Sequence, residues 1–137
     1  MRMSEHRPWL AHYPAGVPHE IDLDEFASIG DVFDAALLKY RDKPAFTNMG
    51  KTLTYADLDR LSRDFAGYLL GELKLKKGDR VAIMMPNCLQ YPVAVLGVLR
   101  AGLTVVNTNP MYTARELKHQ LVDSGATVLL VMDNFGN

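Results

Sequence analysis

The 137-residue chain has one cysteine, Cys88, so an intramolecular disulfide and a thiolate metal cluster are both excluded, and a reducing compartment is its natural setting. Long apolar runs are missing as well. The stretch at residues 92–99 stops at Arg100, far short of the ~20 residues a membrane span needs. The opening MRMSEHRPWLAHYP has no apolar core of the kind a secretory signal carries. Charge of one sign does not accumulate either: 15 basic and 16 acidic residues are mixed along the chain for a net charge of −1. No basic patch supports nucleic-acid binding. A cytoplasmic chain is the expectation.

The motifs of several common chemistries are also missing. No G-x-G-x-x-G follows an apolar strand, and no G-x-x-x-x-G-K-[ST] phosphate loop occurs. There is no G-x-S-x-G elbow for a hydrolase nucleophile. H-E-x-x-H is absent, and His6, His12 and His19 are too widely and irregularly spaced for a metal site, so solvated histidines are expected. No nucleophile, base and orienting partner can be assembled, so neither catalytic nor metal-ligating residues are assigned.

What remains is an ordinary globular composition, with 48% apolar and 23% charged residues. A chain of this length makes one domain and buries roughly two-thirds of its unfolded surface. Residues 1–27 hold Trp9, Tyr13, Pro8, Pro14 and Pro18 with little periodicity, which reads as an extended N-terminal arm laying its aromatics on a neighbouring surface. Residues 28–137 read as a partial α/β subdomain. Ile29, Val32, Phe33, Ala36 and Leu37 recur at helical intervals, and Asp42-Lys43-Pro44 ends that helix. Two short strands, 45–47 and 52–54, flank a turn at residues 48–51.

Thr54 with Asp57 forms a capping-box-like pair, opening a helix whose apolar stripe is Leu58, Leu61, Phe65 and Leu69. The i,i+4 pairs Asp59–Arg63 and Arg60–Asp64 mark a solvated outer face. The basic turn at residues 74–78 reads as a soluble loop. A buried strand follows at 80–85, then a largely apolar helix from Cys88 to Ala101 with Pro92 in its opening turn and Cys88 as a small buried apolar residue. TARE at 113–116 is a proper capping box, starting a helix that turns Leu117, Leu121 and Val122 inward and stops at Gly125. A third buried strand occupies 127–132. Strand, helix, strand, helix, strand makes a parallel βαβαβ unit with flanking helices and right-handed crossovers.

Within that frame the segment LRAGLTVVNTNPMYT (99–113) carries most information. Gly102 suits the left-handed turn that ends a helix. Residues 103–106 lack apolar/polar alternation and read as a strand buried on both faces. Asn107, Thr108, Asn109 and Pro110 then form a polar loop at the carboxyl end of a parallel strand, where open α/β sheets place their ligands. Two readings stand at this point: a ligand loop, or a plain strand-to-helix connection.

These residues resemble the AMP-forming acyl-CoA synthetases, within the adenylate-forming ligases, and among them the bacterial long-chain fatty acid–CoA ligases. LTYADL at 53–58 is similar to the first core motif of that family and LRAGLTVVNTNP at 99–110 to its second, while WLAHYPAGVPHEID resembles the leader of the fatty acid ligases. The resemblance implies the N-terminal domain of the acetyl-CoA-synthetase-like fold. It also implies a two-step reaction: a fatty acid attacks ATP to give an acyl-adenylate and pyrophosphate, then coenzyme A displaces AMP.

The cofactors implied are ATP, coenzyme A and Mg in the parent enzyme, with none expected on this piece alone. The phosphate-binding loop, adenine motifs and C-terminal lysine of the family have no counterpart here, so the chain alone is expected to be inactive. By the same resemblance, Asn107, Thr108 and Asn109 are candidates for contact with coenzyme A, with Pro110 and Tyr112 shaping the loop; packing against the remainder of the ligase is the competing role. Arg115, in a first helical turn, is expected at the surface. Expected partners are the fatty acid substrate, the remainder of the ligase and a second copy in a homo-oligomer, with peripheral contact at the inner membrane face. Two other readings are a non-enzymatic ligase-like dimerisation module and an independent nucleotide-binding domain.

Overall fold

A computed structural model of the chain describes residues 7–133. His6 lies outside them. The arm begins with a short 3-10 turn at Pro8–His12, entered by a proline that needs no N–H there. An Arg7–Glu20 ion pair and an edge-to-face contact between Tyr13 and His19 tie its ends together. The expected packing of its aromatics on a neighbouring surface is not found: residues 11–29 are all exposed, and so is Trp9.

Helix α1 (Ile29–Lys39) starts at Ser28, whose hydroxyl accepts the Asp31 N–H at 3.2 Å. Strands β1 (Pro44–Asn48) and β2 (Lys51–Thr54) pair antiparallel, with Phe46 opposite Leu53 and Thr47 opposite Thr52. Met49 and Gly50 connect them at φ 47° and 74°, the left-handed pair that matches strand twist in a two-residue hairpin turn. Thr54 ends β2 and at once caps α2 (Tyr55–Gly71) in a complete capping box with Asp57.

The parallel sheet consists of β3 (Arg80–Met84), β4 (Thr104–Asn107) and β5 (Val128–Val131) in the order β4-β3-β5. Val81 stands opposite Val105 on one side and Val128 on the other. Between the strands run α3 (Gln90–Arg100) and α4 (Ala114–Ser124), the latter held by the Thr113/Glu116 capping box and stopped by Gly125 at φ 63°. Gly102 turns the chain from α3 into β4 at φ 72°.

Sheet order corrects two expectations. The strand read as buried on both faces is an edge strand: Thr104 and Asn107 are exposed and Val105 and Val106 half-buried, because β4 has a neighbour on one side only. β5 is half-buried throughout for the same reason. Full burial belongs to β3, whose Val81, Ala82 and Ile83 lie between both edges, with Val81 and Ile83 packed in the cluster that holds residues of α2 and α3. In α4 the inward face is Leu117, Gln120 and Leu121, and Val122, expected inward, is 74% exposed. Leu117, Gln120, Leu121 and Ser124 follow the three-and-four spacing of a single stripe, and Val122 lies a residue beyond it.

The core has two parts. Ala66, Leu69, Val81, Ile83, Val98 and Leu103 join α2, α3 and the sheet; Leu37, Leu58 and Leu96 join α1 to both helices. Helices α2 and α3 meet most tightly at Gly97, where a Cβ would sit 2.6 Å from Phe65 Cδ1 and 3.1 Å from the Ser62 carbonyl oxygen. Ser62 is fully buried at that crossing and donates to the Asp59 carbonyl.

Candidate functional site at the carboxyl end of the sheet

Parallel strands send all their carboxyl ends to one rim, so the segments after β3, β4 and β5 cluster there. The chain leaves β3 for β4 on one side, then passes back to β5 on the other. The direction of winding therefore reverses at β3, the position where such sheets open a crevice. A cavity of about 350 Å³ occupies it, lined by Met85, Gln90 and Val93 on one side and Leu130, Met132 and Asp133 on the other, with Phe65 behind. Its walls are mostly apolar. Among the described residues no group of three or more His, Cys, Asp or Glu side chains could hold a metal ion.

The three loop residues singled out in the sequence sit beside this rim with different environments. Asn107 is exposed; its Oδ1 accepts from the Tyr91 hydroxyl at 2.8 Å, and its carbonyl accepts from Gln120 Nε2 at 2.8 Å. Thr108 is 5% exposed, with its N–H donating to the Ile83 carbonyl and its hydroxyl to the Val106 carbonyl. It is a strut extending the β3–β4 ladder by one residue. Asn109 Oδ1 accepts from the Met111 N–H at 2.9 Å, an Asx-turn that explains an asparagine before Pro110.

What these residues still offer outward is narrow. The Nδ2 groups of Asn107 and Asn109 make no hydrogen bond among the described residues, so residues 107–110 present two neutral donors and no titratable group. Such a loop can hold an acceptor-rich ligand but can neither move protons nor attack. Arg115, in the first turn of α4, is exposed as expected and forms no ion pair among the described residues. Gln120 is the residue sequence reasoning missed: it clamps the loop through Asn107, and its Oε1 is buried without a partner.

A second missed feature lies behind the site. Arg100, read only as the end of an apolar helix, reaches Asp59 Oδ1 at 2.6 Å and Asp34 Oδ1 at 2.9 Å, and donates to the Asp59 carbonyl at 3.0 Å. The expected Asp59–Arg63 and Arg60–Asp64 pairs are present at 2.8 and 3.9 Å. Asp59, however, is not on a solvated face: only 17% of its side chain is exposed, because Arg100 draws it inward. Burial alone would raise the Asp59 carboxyl; the hydrogen bond and charge of Arg100, helped by Arg63, outweigh it and hold the group below the usual carboxylate range. Arg100 binds α1 and α2 to the end of α3, three residues before Leu103 leads into β4. The position of the loop is thus referred to three helices.

Cys88 is half-buried rather than buried, with its thiol 3.9 Å from Met85 Sδ, and borders an apolar cavity of about 600 Å³ between α1, the hairpin and α3. No helix among the described residues is long and apolar enough to cross a membrane.

Comparison with known proteins adds the following. Residues 33–136 match the family model of the AMP-binding enzymes. The chain is 57% identical over 129 residues to a long-chain-fatty-acid–CoA ligase of Yersinia pestis, covering 94% of this chain and 23% of the relative. It is 40% identical over 131 residues to the ligase of that name from Bacillus subtilis, again covering 23% of it. Among solved structures, the N-terminal subdomain of Klebsiella oxytoca NpsA superposes with a TM-score of 0.73 at 25% identity, over 79% of this chain and 28% of that one. Apo Mycobacterium smegmatis MbtA does so with 0.70 at 35% identity, over 77% and 20%. The chain spans about a quarter of the length of the curated relatives it matches.

Proposed function

The chain belongs to the AMP-binding enzyme family, and we propose that it is the N-terminal portion of a long-chain fatty acid–CoA ligase working in the cytoplasm. The observation that carries this reading is the 57% identity to the Yersinia pestis ligase over 94% of the chain. The reaction proposed is activation of a fatty acid by Mg-bound ATP as an acyl-adenylate, followed by transfer of the acyl group to coenzyme A.

The role of this portion is to build and position. It supplies the β4-β3-β5 sheet and the loop at its rim. Asn107 and Asn109 offer free amide donors to the coenzyme A nucleotide, while Thr108 holds the loop to β3. With no ionisable side chain at residues 107–110, the chemical steps fall to groups in the remainder of the ligase, and the chain alone is inactive. A chimera joining this chain to the remainder of the Yersinia pestis ligase tests the proposal. It should form acyl-CoA from palmitate, ATP and coenzyme A. A folded chimera that makes neither acyl-adenylate nor acyl-CoA refutes it.

A further inference from the structure

The apolar cavity of about 600 Å³ between α1, the hairpin and α3 takes no part in the site at the sheet rim. Its walls come from four elements, with Val32 and Phe33 on α1, Phe46 on β1, Leu58 on α2 and Val95 on α3. Walls on so many sides make a hollow rather than a flat face, and its volume is that of a small-molecule site. Leu37, Leu58 and Leu96, the buried residues of the smaller core, form its floor. Val32 and Phe46, 42% and 46% exposed, stand at its mouth.

Unpaired amide groups gather at one end of this hollow, where the hairpin meets the segment leading into α3. Asn48 Nδ2 donates to the Asn87 carbonyl at 3.3 Å. Asn48 Oδ1 and the side-chain amide of Asn87 are left without a hydrogen bond among the described residues. No residue lining the cavity carries a charge. A carboxylate or ammonium placed inside would lose its water with no opposite charge in exchange. An uncharged apolar molecule ending in a hydroxyl, ester or amide finds apolar walls for its body and both a donor and an acceptor for its polar end.

Tyr91 connects the hollow to the rim. Its ring lines the cavity, and its hydroxyl donates to Asn107 Oδ1 at 2.8 Å. We propose that the hollow binds a neutral amphiphile, an aliphatic chain ending in one uncharged polar group, and that its occupancy steadies the rim loop through Tyr91. The chain lies among Val32, Phe33, Leu58 and Val95, with the polar end at Asn48 and Asn87. An occupant packed against the Tyr91 ring restricts that ring, and with it the hydrogen-bonded Asn107. The inference stands on enclosure, the missing charge and the Tyr91–Asn107 bond, and does not depend on the enzymatic reading.

The test is calorimetric titration of the purified chain with 1-decanol, which should fill one site, located by amide shifts at residues 46–48 and 87–96 in heteronuclear NMR. Decanoate, of the same chain length but charged, should bind at least about tenfold more weakly. Val32→Trp, which plugs the mouth from an exposed position, should abolish binding. Bound 1-decanol should slow amide exchange at residues 108–112 at least about twofold. Tyr91→Phe keeps the ring and removes the hydroxyl, so it should keep the binding and lose the slowing. No binding, shifts confined to the sheet rim, decanoate bound as tightly as the alcohol, binding indifferent to Val32→Trp, or loop exchange indifferent to the alcohol overturns the proposal. So does loss of the Val32→Trp-sensitive binding in the chimera with the remainder of the Yersinia pestis ligase, which would show that a later segment fills the hollow. Circular dichroism of each variant excludes unfolding as the cause.

Discussion

Two glycines, both inside helices, should respond in opposite ways to alanine. At Gly97 the added methyl would lie 2.6 Å from Phe65 Cδ1, 3.2 Å from Phe65 Cβ and 3.1 Å from the Ser62 carbonyl oxygen. The ring belongs to the main core, and the carbonyl is backbone of α2, so relief requires α2 and α3 to separate. Crowding of this kind costs about 1–3 kcal/mol. At Gly67, within α2, nothing lies within 4 Å of the same methyl. Alanine gains about 1 kcal/mol of helix propensity at either site. Gly67→Ala should therefore stabilise by up to about 1 kcal/mol, and Gly97→Ala should destabilise by about 1 kcal/mol.

The difference between the two variants isolates the crowding, because the propensity gain cancels. Urea unfolding followed by circular dichroism should separate their midpoints by about 1 M, given a dependence of about 1–3 kcal/mol per molar urea. A Gly97→Ala protein as stable as Gly67→Ala would refute the close contact of α2 and α3.

Arg100→Met, which strands the inward-drawn Asp59, should cost about 1–2 kcal/mol in the same urea assay. The Asp59 carboxyl is depressed in the fold, so its stabilisation is full above its unfolded pKa of about 4 and lost as pH falls through the lower folded value. Asp59→Asn should flatten the loss of stability seen on acidification below about pH 4, and an unchanged acid limb would count against the pair. Gln120→Ala should leave the fold intact yet speed amide exchange at residues 108–112, read by hydrogen-exchange mass spectrometry; unchanged exchange would show that Gln120 does not clamp the loop. Thr113→Ala removes the hydroxyl half of the α4 capping box and should cost about 1 kcal/mol in thermal or urea unfolding.

Features set by neighbours in sequence were legible before the fold. Thr54 with Asp57, Thr113 with Glu116, Gly102 and Gly125 each act within a few residues, so spacing and residue type identify them. The edge positions of β4 and β5 were not, since an apolar tetrapeptide such as 103–106 carries no record of which side of β3 it joins. Asp59 and Arg100 are 41 residues apart, and the charge pattern of α2 alone names only the nearer Arg63. In the loop, sequence identified Asn107 to Asn109 as polar. Only their partners Tyr91, Gln120, Ile83 and Met111 divide them into two outward donors and one buried strut.

The placing of β3 in the middle of the sheet also sets an order of assembly. Its partners arrive late: Val81 meets Val105 after 24 residues and Val128 after 47. At a synthesis rate of about 5–20 residues per second, β3 leaves the ribosome roughly 2–9 s before β5 can reach it. Helix α2 is already made by then, so the apolar face of β3 can be covered while one hydrogen-bonding edge stays bare. The strand that ends best protected in the molecule is thus the one a nascent chain must guard longest against pairing with a stranger.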